Sequence, residues 1–128
     1  MDADARRSLD SITEKIIGSA YSVANALGHG FLEKVYENAL AHEIQKAGLH
    51  VTQQQPLLVH YDGVVVGEYV ADLVVAETVL VELKAAKGID DVHVAQCMNY
   101  LKATGLPVCL LINFGTPRVQ VKRIVDRF

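Results

Sequence analysis

The stretch VLVELKAAK, Val79 to Lys87, decides how this chain is read. Val79, Val81 and Leu83 alternate on one face of a short strand, because successive side chains in a strand point to opposite sides of the sheet. The other face sets Glu82 beside Lys84, two charges in the middle of an apolar run. A charge in a buried strand needs a partner that offsets its desolvation. The neighbouring sequence supplies a second acid instead.

Ala76-Glu77-Thr78 reads as a three-residue turn, so antiparallel partners across it have numbers that sum to 154. Val75 then faces Val79, Leu73 faces Val81, and Asp72 falls opposite Glu82. Directly opposed side chains have Cβ atoms about 5 Å apart. At an effective dielectric near 20, two like charges at that separation repel by roughly 3 kcal/mol. A shared proton would relieve this, and so would a cation. A divalent ion fits better, since two hard carboxylate oxygens bind one Mg²⁺ or Mn²⁺ while water completes the octahedron. Lys84 stands on the same face as Glu82, about 7 Å further along by strand geometry. From there an ammonium can orient an attacking water or neutralise charge on a transferring phosphoryl group. The pattern D-x9-E-x-K thus describes a metal site with a cation beside it. The plainer reading is a strand-edge ion pair of Glu82 with Lys84 that reaches solvent.

The rest of the chain supports a mixed α/β sandwich. Ser11-Ile12-Thr13-Glu14 has capping-box spacing, and Ile12, Ile16, Ala20, Val23 and Leu27 follow at helical intervals, which leaves residues 1–10 as an expected flexible N-terminus. Gly28-His29-Gly30 breaks this helix. Leu32, Tyr36, Leu40, Ile44 and Ala47 give a second, closed by Gly48. The period then changes to two: one strand from Val51 to about Tyr61, an Asp62-Gly63 hairpin, and a second from Val64 to about Val75 with a bulge near Gly67. A third strand, Val79 to Lys84, precedes a helix from Asp90 to Thr104 and strands at Val108–Asn113 and Val119–Val125. The order is ααβββαββ. Its third strand, third helix and fourth strand make a βαβ unit, whose two strands should be parallel. At 128 residues and 14.0 kDa this is expected to be one domain.

Net charge is −3, unevenly distributed. Residues 1–83 hold 5 Lys/Arg against 12 Asp/Glu, net −7; residues 84–128 hold 7 against 3, net +4. The basic positions Arg118, Lys122, Arg123 and Arg127 permit one cationic surface, suited to a polyanion, on an acidic protein. Cys97 and Cys109 lack metal or redox spacing and read as free thiols in a core. No apolar run approaches the length that spans a bilayer, and the first ten residues have no apolar leader, so no membrane partner and a cytoplasmic location are expected. Ser22 and the cysteines show no base and orienter pattern for acyl transfer.

Gly30-Phe31-Leu32-Glu33-Lys34-Val35-Tyr36 resembles the G-x-x-E-x-x-Y signature of the GxxExxY proteins, a branch of the PD-(D/E)XK nuclease-like superfamily. Ala71-Asp72-Leu73, Val81-Glu82-Leu83-Lys84, Ala95-Gln96 with Asn99-Tyr100-Leu101, and Leu111-Ile112-Asn113-Phe114-Gly115 are similar to that family, in its order. The likeness covers about residues 11–125. It implies a restriction-endonuclease-like core and a Mg²⁺-dependent phosphodiesterase acting on DNA or RNA. Asp72 and Glu82 would bind the metal, Lys84 would be the catalytic lysine, and Glu33 an additional helix-borne ligand. The proline of the superfamily name is Ala71 here. Cutting both strands of a duplex would call for a homodimer.

The helices add candidates of their own. Glu33 shares a helical face with Tyr36 and Leu40, so partial burial is expected. On the third helix His93, Gln96 and Tyr100 form a polar line opposite Val94, Met98 and Leu101. That line could face a phosphate or solvent; the resemblance implies Gln96 as the contact to water or phosphate, with Tyr36 and Tyr100 as expected substrate contacts. His29, His42, His50 and His60 are scattered without ligand spacing. A nuclease-fold module that binds protein or nucleic acid without cutting is the alternative.

Overall fold

A computed structural model describes residues 1–126; Arg127 lies outside them. Three helices and five strands follow in the expected order: α1 (Ala3–Leu27), α2 (Glu33–Lys46), β1 (Val51–Tyr61), β2 (Val64–Val75), β3 (Val79–Lys84), α3 (Asp91–Thr104), β4 (Val108–Asn113) and β5 (Gln120–Val125). The five strands form one sheet in sequence order, antiparallel except for the parallel β3–β4 pair. The turn at 76–78 gives the anticipated register, with Val75 opposite Val79 and Leu73 opposite Val81. Val59 pairs with Gly67 and His60 with Val65, so the β2 bulge leaves Val66 unpaired beside the glycine.

Alternation divides the apolar residues into two cores. Leu73, Val75, Val81, Leu83, Leu110 and Ile112 pack under α1 and α2 through Ile16, Ala20, Leu40 and Ile44. Leu57, Ala71, Leu80, Cys109 and Leu111 face the opposite way, under Cys97, Tyr100 and Leu101 of α3. Both cysteines are free and buried. Strands β3 and β4, covered on both faces, are apolar almost throughout, as a parallel pair between two helical layers requires. Among the described residues no helix is long and apolar enough to cross a membrane.

One boundary departs from the sequence reading. Helix α1 begins at Ala3, not Ser11, so most of the segment expected to be flexible is helical. The Asp2 carboxylate caps it, accepting from the Ala5 N–H at 2.7 Å, and Leu9 anchors the extension in the core. Ser11 sits in mid-helix.

The link after β3 is pinned to the end of β4. The Phe114 N–H donates to the Lys84 carbonyl at 2.8 Å. Wholly buried Asn113 accepts from the Ala86 N–H and donates to the Ala86 carbonyl, at 3.0 and 3.1 Å. Gly115 lies against that same backbone: a Cβ there would stand 2.3 Å from the Ala86 oxygen and 2.4 Å from its nitrogen. Backbone does not yield as a flexible side chain does. Gly115→Ala is therefore expected to destabilise the protein by about 1–3 kcal/mol, as overpacking does, and chemical denaturation at unchanged m-value checks it.

Candidate active site

The β2–β3 ladder stops short of the site. Its regular pairs run from Val75–Val79 to Leu73–Val81, and at the next position the strands part. Side chains take over the backbone bonds. The Asp72 N–H donates to Glu82 Oε1 at 3.1 Å, and the Leu83 N–H donates to Asp72 Oδ2 at 2.8 Å. Each carboxylate therefore holds the opposite strand, and Asp72 also meets Gln54 of β1. Glu82 is only 3% exposed; Asp72 is half-buried. Burial first, and the Asp72 charge second, push the Glu82 carboxyl up to about 9. That shift favours the protonated form of Glu82 at neutral pH.

Lys84 ends β3 opposite Asn113, half-buried, on the face that carries Glu82. No ion pair joins the two, so the strand-edge salt bridge does not form. Lys84, His93, Gln96, Asn99, Tyr100 and Tyr69 line an open cavity of about 440 Å³. The Gln96 amide donates to the Tyr100 hydroxyl at 2.8 Å. Burial, reinforced by the charge of Glu82, pushes that phenol up to about 12, so it remains a hydroxyl. His93 closes the capping box of α3, its Nδ1 accepting from the Asp90 N–H at 3.3 Å. The polar line of α3 thus borders the site.

Two expectations for α2 need correction. Glu33 is exposed instead of partly buried, because it is the first residue of the helix and lies beyond the stripe Tyr36, Leu40 and Ile44 that meets the sheet. Its carboxyl still sits above the usual range, through local desolvation and then the nearby Asp72. Tyr36, expected to touch substrate, is completely buried. Its ring stacks on Phe114 at 4.7 Å, and its hydroxyl donates to the Gly28 carbonyl and accepts from the Phe31 N–H. That hydroxyl fastens the loop between α1 and α2.

Sequence reasoning missed the acid that α2 does bury. Glu37, 3% exposed, accepts from Lys34 Nζ at 2.9 Å, Gln53 Nε2 at 2.8 Å and Gln54 Nε2 at 2.7 Å. Gln54 also stands 3.4 Å from Asp72 Oδ1, and its φ of 53° interrupts the β1–β2 ladder across from Asp72. A non-glycine residue in that region is strained by about 1–3 kcal/mol. The available signal was the run Gln53-Gln54-Gln55, which gives no apolar alternation within a strand.

Comparison with known proteins gives the family and the fold. Residues 10–124 match the model of the PD-(D/E)XK nuclease superfamily, and the chain belongs to that superfamily. Among solved structures it is similar to an alkaline exonuclease from Laribacter hongkongensis, with a TM-score of 0.51 and 15% identity over 90% of this chain and 82% of that one. That likeness speaks for the restriction-endonuclease-like fold. A search of the curated proteins finds no match.

The donor set suits a hard divalent cation in part. Asp72 and Glu82 present two carboxylates on facing strands, and a metal would displace the proton that burial favours on Glu82. Glu33 does not complete a triad: among the described residues no three His, Cys, Asp or Glu side chains cluster closely enough to hold an ion.

The raised Glu82 has a consequence for stability. The folded protein keeps a proton that the unfolded chain releases near pH 4.5, so the stabilisation is full below that value and is lost as pH rises towards about 9. The metal-free protein should lose thermal stability across this window, and Glu82→Gln, which imitates the protonated acid, should flatten the decline. Melting curves of both proteins check this; parallel pH profiles would contradict it.

Proposed function

We propose that the chain is a divalent-metal-dependent nuclease of the GxxExxY branch, hydrolysing phosphodiester bonds in nucleic acid. The observation that carries this reading is the meeting of Asp72 and Glu82 where β2 and β3 part, with Lys84 on the same face. Asp72 and Glu82 would hold Mg²⁺ or Mn²⁺, with water in the positions that Glu33 does not reach. The ion, when bound, supplies Lewis-acid stabilisation of charge on the phosphate. The Lys84 ammonium orients the attacking water or neutralises the phosphoryl oxygens. Gln96, held by Tyr100, presents an amide to water or phosphate from α3. Exposed Arg118 and Lys122 offer positive charge to a polyanion.

One observation favours the alternative of a module that binds without cutting, namely that Glu33 stands apart from the two strand acids. Metal linkage separates the readings. A working site stabilises the fold by mass action, so millimolar Mn²⁺ should raise the melting temperature of the wild type and not of Glu82→Ala. The purified protein should cut nucleic acid with Mg²⁺ or Mn²⁺, and Glu82→Ala or Lys84→Ala should each reduce cutting about a hundredfold or more. Equal cutting by either variant would assign the activity to a contaminant and remove the proposal.

A further inference from the structure

The cavity beside Lys84 continues along α3. A second one, of about 490 Å³, lies against the same helix, lined by Val59 and His60 of β1, Tyr69 of β2, and Asn99, Lys102 and Ala103 of α3. The two share Tyr69 and Asn99, so they form one groove between α3 and the β1–β2 hairpin. Each part is of the size that accommodates a small organic ligand. The lining contains Lys84 and Lys102 and no carboxylate, although the chain as a whole is acidic.

Tyr69 stands at the junction. It pairs with Leu57, whose side chain is buried under α3, so its ring faces the helix side of the sheet. That ring rests on Tyr100 with centroids 5.4 Å apart and planes tilted by 52°, and Tyr69 is nevertheless 48% exposed. Through Tyr100 it connects to Gln96, which lines the same cavity as Lys84. The general rule is that a large aromatic side chain packs away from water. Here a tyrosine is braced on one side and left open on the other, in a groove that Lys84 also lines.

We propose that this groove binds a single strand of nucleic acid, with an unpaired base stacked on Tyr69 and the backbone running past Lys84. The inference rests on the nuclease reading for its direction and adds the form of the substrate. Every base has a π-face, so an aromatic platform grips a strand with little regard to sequence. In a duplex those faces are occupied by neighbouring bases, and a platform of this kind has nothing to hold. Asn99 and His60, exposed on either side of Tyr69, can donate to or accept from base edges.

The test is fluorescence anisotropy without divalent metal, using a labelled oligothymidine strand and a mixed-sequence duplex of equal length. The wild type should bind the strand more tightly than the duplex. Tyr69→Ala and Tyr69→Leu should each weaken strand binding about five- to a hundredfold, the range for loss of one base–aromatic stack. Tyr69→Phe should stay within about twofold, since stacking needs the ring and not the hydroxyl. Tyr69→Leu keeps an apolar contact with Tyr100, which guards against a mere folding defect, and Tyr21→Ala, on exposed α1 surface, should change nothing. Equal binding by wild type and Tyr69→Leu, or no strand binding at all, would overturn the inference. A parallel cutting assay with Mn²⁺ distinguishes the two claims. Tyr69-dependent binding without cutting would defeat the nuclease reading alone, whereas cutting insensitive to Tyr69→Leu would defeat the groove alone.

Discussion

Two carboxylates that each accept a backbone N–H from the facing strand hold the site together, and the remaining geometry follows from that exchange. An antiparallel pair normally continues its ladder until the strands end. Here Glu82 takes the Asp72 N–H and Asp72 takes the Leu83 N–H. The strands are thus kept together while the two acids stay on adjoining strands. Acids held this closely cannot both ionise cheaply in a poorly solvated place, so a proton or a cation belongs with them.

The surroundings are arranged to keep this pair in place. Apolar β3 and β4, packed on both faces, fix the strand that carries Glu82 and Lys84. Asn113 and Gly115 fasten the chain immediately beyond Lys84, so the lysine does not drift with the following loop. On the other side Glu37 gathers Lys34, Gln53 and Gln54, and Gln54 touches Asp72 from a strained backbone conformation. Strained residues of this kind occur where the surrounding structure over-determines them, and here that surrounding is a buried carboxylate with its oxygens bonded. Superfamily membership and the resemblance to an alkaline exonuclease agree with the fold that carries these strands.

Much of this was legible in the sequence because strands have a period of two. Counting across a three-residue turn placed Asp72 opposite Glu82, and alternation put Lys84 on their side; the register follows that count. The parting of the strands could not be read, since it depends on carboxylates outbidding carbonyls for two N–H groups. On α2 the periodicity placed Glu33 and Glu37 on neighbouring parts of one face, four residues apart. Which of the two is buried depends on where β1 passes, a tertiary fact. Tyr36 was read as available to substrate, whereas its hydroxyl is engaged by the 28–31 loop. The start of α1 was missed because residues 3–10 carry no apolar stripe; a single cap at Asp2 and one buried leucine extend the helix. Cys97 and Cys109 were read correctly as buried free thiols.

Anomalous diffraction from a crystal equilibrated with Mn²⁺ addresses the central claim most directly. The account predicts one strong peak where β2 and β3 part, with oxygens of both Asp72 and Glu82 at metal-ligand distance and Lys84 outside the coordination sphere. A peak elsewhere, or full Mn²⁺ exposure that leaves the Asp72 and Glu82 carboxyls without an ion, would contradict it.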